Sequence, residues 1–175
     1  MPSAFSHPAV PLALTAILGK QTISSRLLFG ACVASVFPDV DVVAFYFDIP
    51  YASPYGHRGF THSLAFAAAI GGLGIRFHKE LHCSPRVGFW LLFIATASHG
   101  LLDALTNGGH GIAFFWPFSD TRYFFPWQPI AVSPIGVRQF FSQWGMRVIQ
   151  SELVWICLPA LSFGLVGYLF RRTKS

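Results

Sequence analysis

Charged side chains are scarce in this chain: Asp, Glu, Lys and Arg make up 11% of 175 residues, against 53% hydrophobic and 17% aromatic residues. With a mean hydropathy of +0.52, that shortage excludes an ordinary soluble domain and points to a single membrane-embedded domain over residues 1–175. Cysteine is short as well. Cys32, Cys83 and Cys157 are odd in number, far apart and without a C-x-x-C pair. They exclude a disulfide framework and a thiolate metal site, and read as small apolar fillers. No basic stripe is present. The twelve Lys and Arg are spread over loops and termini and the net charge is only +5, so nucleic acid is excluded as a partner and a membrane surface is the fitting anionic one. Residues 1–18 lack a positive leader and a cleavage pattern, which argues against a removable signal peptide.

What is present in quantity is apolar sequence in blocks. Residues 8–18 end at Gly19-Lys20-Gln21, and a second run from Leu27 to Phe37 follows a Ser24-Ser25 cap and stops at Pro38. Eleven residues at ~1.5 Å each cover about half a bilayer core, so these two runs predict a shallow hairpin or helices shielded by the rest of the protein. Residues 40–59, with Pro50, Pro54, Gly56 and Gly59, predict an irregular connector. Thr61 to Ile75 predicts a helix in which Ala67 and Gly71, then Ala68 and Gly72, allow close packing in lipid. Val87 to Leu105 and Leu153 to Phe170 are long enough to span, and residues 107–147 predict a long aromatic-rich loop containing Phe114 to Trp127. The expected fold is an all-α integral membrane helical bundle.

If the helices alternate in direction, Lys20, Arg26, Arg76, Lys79, Arg86, Arg171, Arg172 and Lys174 share one side. Only Arg58, Arg122, Arg138 and Arg147 lie on the other. The positive-inside tendency places the first group in the cytoplasm and the second side outside it.

That second side collects the ionisable groups that are hardest to explain. They occur in Pro38-Asp39-Val40-Asp41, in Gly56-His57-Arg58-Gly59-Phe60-Thr61-His62-Ser63 and in Ser98-His99-Gly100-Leu101-Leu102-Asp103, with His7 near the first run. Acid and imidazole groups at the ends of apolar segments cost several kcal/mol to desolvate, and a bound cation is an economical compensation. His99 and Asp103, four apart, project from one helix face one turn apart. Imidazole and carboxylate together suit Zn²⁺, with Mn²⁺ and Fe²⁺ as other candidates. Blander readings stand beside this one: a hydrogen-bonded pair for His99 and Asp103, turn chemistry for Asp39 and Asp41, a backbone-bonded His57, and a snorkelling Arg58. As a functional group, Arg58 fits a carboxylate or a phosphate oxygen. His110 reads as a solvent-exposed loop residue, and His78 and His82 lie at the opposite helix end.

At these residues the sequence resembles the YdjM-like family of bacterial inner-membrane proteins, described as metal-dependent hydrolases. Phe37-Pro38-Asp39-Val40-Asp41, the Gly56 to Ser63 string, Ser98 to Thr106 and Trp116-Pro117 carry the likeness, over about residues 5–130. More distantly, the order Asp, His, then H-x-x-x-D is similar to the first half of the zinc-dependent phospholipase C and P1-nuclease fold. That resemblance implies a main metal site of Asp41 or Asp39 with His62, His99 and Asp103, and His7 serving a neighbouring ion. The second H-x-x-x-E pair of that fold is missing here, which limits the expectation to one or two ions.

The sequence thus predicts a membrane-bound metal-dependent hydrolase in the inner membrane, its site at the bilayer boundary on the extracytoplasmic side. His7, Asp41, His62, His99 and Asp103 would hold Zn²⁺, Asp39 or His57 would handle a proton, and Arg58 would hold a phosphate oxygen. A lipid or lipid-linked phosphate is the expected substrate. The alternatives are a non-catalytic membrane protein with a structural metal site, or a metal or proton carrier.

Overall fold

The computed structural model describes residues 1–134 and 136–173. After an opening set of turns come α1 (Ala9–Leu18), α2 (Ser25–Val36), α3 (Leu64–Arg76), α4 (Pro85–Ala104), α5 (Val137–Phe140), α6 (Gln143–Glu152) and α7 (Leu158–Arg172). The described residues are helical apart from turns, loops and two isolated bridges, Thr106 with Ile130 and Ile112 with Tyr123.

Two expected boundaries move. The second run does not stop at Pro38, because Pro at the start of a new turn is compatible with continuation. A 3₁₀ segment, Phe37–Phe47, extends α2, and Ser25–Phe47 becomes one candidate membrane span of 23 residues. The irregular connector shrinks to the turns between Asp48 and Gly59. At the other end α6 and α7 are joined through a π-helical segment, Leu153–Cys157, into one 30-residue rod, Gln143–Arg172. Together with Pro85–Ala104 this makes, among the described residues, three helices long and apolar enough to cross a membrane, while α1 and α3 are shorter apolar helices.

Packing follows from small residues. Ser24 caps α2, its hydroxyl accepting from the Leu27 amide at 3.0 Å. The inner face of α2, Leu27, Ala31 and Ala34, then meets Leu91, Leu92 and Ala95 of α4 in the main apolar core. Between α3 and α4 the backbones themselves touch. A Cβ built on Gly74 would collide with the Gly88 carbonyl, and one on Gly88 would lie 2.5 Å from the Gly74 oxygen, so only glycine fits at either position. Of the two small-residue pairs in α3, Ala67 and Gly71 are buried, Gly71 against Phe89, whereas Gly72 meets no neighbour.

α1 and α7 run side by side in the same direction. Arg171 donates to the Ala16 and Ile17 carbonyls at 2.6 and 2.9 Å, satisfying acceptors that the end of α1 leaves open. The turn after α1 meets the turn after α3, where Arg26 reaches the Glu80 carbonyl at 3.2 Å. Lys20, Arg26, Arg76, Lys79, Arg86, Arg171 and Arg172 therefore gather at one end of the bundle with Glu80 as their acidic neighbour; Lys174 lies outside the described residues. The start of α1, the end of the Ser25–Phe47 helix, the start of α3 and the end of α4 meet at the other.

Candidate metal centre

Four chain segments bring their polar residues to that second end. The 3₁₀ turns after α2 carry Asp39 and Asp41, a 3₁₀ turn Phe60–His62 precedes α3, His99 and Asp103 share the inner face of the last turns of α4, and His7 sits just ahead of α1. His7, His57, Arg58, His62, His99 and Asp103 are all buried. The string Gly56 to Ser63 folds tightly enough that a Cβ on Gly59 would strike the Pro54 carbonyl. Arg58 takes up a left-handed backbone, φ 63°, uncommon for a residue with a side chain. In that conformation its amide points at Asp41 Oδ2, 3.1 Å away.

Asp39, His62, His99 and Asp103 each present a ligand atom within 4.8 Å of the others. His99 donates through Nδ1 to the Ser35 carbonyl at 2.7 Å, which leaves Nε2 as a lone pair. That lone pair faces Asp39 Oδ1 at 3.2 Å. His62 repeats the pattern: Nδ1 faces Asp41 Oδ2 at 3.1 Å and Thr61 Oγ1 at 3.0 Å, and Nε2 faces Asp103 Oδ2 at 3.5 Å and Asp39 Oδ1 at 3.7 Å. Lone pairs pointing at carboxylate oxygens repel unless a proton or a metal ion lies between them. Ligand atoms around a tetrahedral Zn²⁺ with bonds of ~2.0–2.1 Å stand about 3.3 Å apart, close to these spacings.

A further observation isolates the same place. The buried side-chain nitrogens and oxygens without a hydrogen-bond partner, among the described residues, are both ring nitrogens of His7, Asp39 Oδ2, Arg58 Nε, His62 Nε2 and both carboxylate oxygens of Asp103. All belong to this one cluster. Native interiors rarely leave such groups unpaired, and an ion bound among them is a direct remedy.

Asp39 and Asp41 fall in different groups that could hold an ion, Asp39 with His62, His99 and Asp103 and Asp41 with His57 and His62. Asp41 has four donors around it: His57 Nδ1 at 2.6 Å, Thr61 Oγ1 at 2.6 Å, the Arg58 amide and His62 Nδ1. A carboxylate offers about four acceptor positions, so although Asp41, His57 and His62 also lie close enough to hold an ion, Asp41 is occupied in orienting its neighbours. Asp39 supplies the oxygen facing both imidazoles. It is also the least buried member, its side chain 12% exposed where those of His62 and Asp103 are 0%.

Arg58 has met a carboxylate. Its Nε lies 3.1 Å from Asp103 Oδ2, both side chains wholly buried, at an angle that forms an ion pair without a hydrogen bond. Its Nη1 donates to the Gly108 and His110 carbonyls at 2.9 and 2.7 Å and its Nη2 to Thr106 Oγ1 at 3.0 Å, so the guanidinium is largely engaged by the protein. His110 contributes this carbonyl, while its ring packs on Tyr51 at 4.7 Å. His7 stacks on His99 with ring centroids 3.8 Å apart and points Nε2 at Asp103 Oδ1 from 3.9 Å.

Burial and the adjacent His99 ring push the His7 pKa down to about 3. Burial also disfavours charge on His62, but Asp103, Asp39 and Asp41 outweigh it and hold its pKa well above the ordinary imidazole value. Without a metal ion, these carboxylates favour the protonated form of His62.

Residues outside the expected set complete the centre: Thr61, the Ser35 carbonyl, Thr106 and Glu152. Thr61 lies inside the His-rich string and Thr106 three residues past Asp103, where a hydroxyl beside ligands is a readable signal. The Ser35 carbonyl leaves no trace in residue type. Glu152 is buried and accepts from the Ser3 amide and, at 2.6 Å, from Ser3 Oγ. This bond fixes the turns that carry His7.

Comparison with known proteins points to an inner membrane family. The family described as YdjM inner membrane protein matches residues 1–174. Inner membrane protein YbcI of Escherichia coli (strain K12) is 40% identical over 175 residues, covering 99% of this chain and all of that protein. No solved structure matches the chain at a significant level.

Proposed function

The chain belongs to the YdjM inner membrane protein family, and from that premise we propose that it is a metal-dependent hydrolase acting on an ester or phosphoester of a lipid or lipid-linked substrate. The observation that carries the reading is the convergence of unpartnered buried atoms on one point. Asp39, His62, His99 and Asp103 would hold a divalent cation, Zn²⁺ by the mix of nitrogen and oxygen donors, with His7 beside Asp103 as the next donor. Such an ion, when bound, supplies a water of pKa near ~7 and stabilises the negative charge that develops on an attacked ester.

The chain's own residues do the rest. Ser35 and Asp41 fix which nitrogen of His99 and His62 is free, the usual task of groups behind a metal ligand. Arg58 acts as a positioning residue that aims Asp103 and offsets its charge. Asp39 Oδ2 has no partner and belongs to the least buried side chain of the four, so it is our choice for accepting a proton. His57 acts through Asp41. A lipid substrate is supported by position, since Asp39, His99 and Asp103 all stand on candidate membrane spans. The concentration of cations at the opposite end supports an extracytoplasmic site.

One observation favours a second reading. His7, His99 and Asp103 have no exposed surface, and a closed four-ligand site is the mark of a structural metal. Chelation of the purified full chain separates the two. Loss of hydrolysis of phosphodiester or ester lipids with the fold intact supports the enzyme. Unfolding, with no turnover before or after metal removal, supports the structural ion.

A further inference from the structure

The end of the bundle remote from the metal centre has chemistry of its own. Lys20, Arg26, Arg76, Lys79, Arg86, Arg171 and Arg172 meet there with one carboxylate, Glu80. A cavity of about 520 Å³ opens between the turn joining α1 to α2 and the turn joining α3 to α4. Gln21 and Thr22 line one side, and His78, Lys79, His82 and Ser84 the other.

The walls are fixed in place. Ser24 Oγ donates to the Leu81 carbonyl, Arg26 Nη1 reaches the Glu80 carbonyl and, at 3.2 Å, His82 Nε2. His82 itself holds a left-handed backbone, φ 53°. A preformed pocket of hydroxyl, amide, imidazole and ammonium groups, with the Arg26 guanidinium against its His82 wall, is complementary to a phosphate. It lies beside the starts of the candidate spans Ser25–Phe47 and Pro85–Ala104, with Val87 in its lining. Basic pockets between membrane helices at a membrane surface suit anionic headgroups.

We propose that this pocket binds the headgroup of an anionic phospholipid, at a site separate from the metal centre. The assignment stands independently of the hydrolase reading, because none of its residues belongs to the metal cluster.

The test uses the full chain in nanodiscs of phosphatidylcholine mixed with phosphatidylglycerol, with retained lipid counted by native mass spectrometry. Phosphatidylglycerol is expected to be retained at least tenfold over phosphatidylcholine. Lys79→Gln with Arg26→Gln should remove most of that preference, and either change alone should lower it about fivefold. Metal content should stay unchanged, and the remote pair Arg138→Gln with Arg147→Gln should have no effect on retention. Equal retention of the two lipids, or a double variant that behaves as wild type, overturns the proposal. Complete displacement of phosphatidylglycerol by millimolar inorganic phosphate also overturns it, by identifying a free anion as the occupant.

Discussion

The two ends of this bundle handle charge in opposite ways. At the candidate metal centre the ionisable groups are buried or nearly so and several lack a hydrogen-bond partner; at the basic end they are exposed or half-buried and, Glu80 apart, of one sign. A buried charge has consequences set by its geometry, because the interior screens little and an unmatched group is expensive. An exposed charge acts through number and is largely screened. Single substitutions should therefore be severe at one end and mild at the other.

The largest effect is expected for Asp103→Ala. It removes two candidate ligand oxygens and leaves Arg58 buried without its carboxylate, a loss of about 3–5 kcal/mol in folding stability. Elemental analysis of the purified variant should find no stoichiometric metal. Full retention would remove Asp103 from the centre.

Asp39→Asn and Asp41→Asn sharpen the contrast within the metal end. A directly ligating carboxylate should weaken metal binding by more than ~100-fold, whereas one acting through His62 should cost about 10–100-fold. Competition with a chelator measures both. The reverse order would restore Asp41 as the ligand and make Asp39 its support.

A pH series tests the role of His62. Its folded pKa is raised, so in metal-free protein its protonated form stabilises the fold below the ordinary imidazole value of about 6.5, and that contribution disappears as pH rises through the elevated pKa. A bound ion makes the proton unnecessary. The difference in thermal midpoint between metal-loaded and metal-free protein should widen with rising pH. A constant gap would mean that His62 does not exchange a proton for metal.

The smallest effect belongs to the basic end. Lys20→Gln or Arg76→Gln should shift stability by no more than about 0.5 kcal/mol and leave metal content alone. A change comparable with that of Asp103→Ala would erase the distinction between the ends.

Much of the architecture was legible from residue type. Apolar blocks, the Ser24 cap and the basic turns mark the helices, and the spacing of His99 and Asp103 marks one face of α4. Boundaries were harder, because Pro38 reads as a stop in isolation and continues the helix when it begins a 3₁₀ turn. Asp39 and Asp41 show the limit most clearly. Two acids separated by one residue carry the same signal in a sequence, and only the donors that surround Asp41 tell them apart. Arg58 is similar: its type allowed two anions, and only the fold shows that Asp103 Oδ2 lies 3.1 Å from its Nε.

The Ser3 to Glu152 bond has a consequence for biosynthesis. The turns that present His7 are made before their anchor, which follows 149 residues later. His7 thus gains its fixed place only when the closing rod has been made, and any ion held with its help would be captured after that.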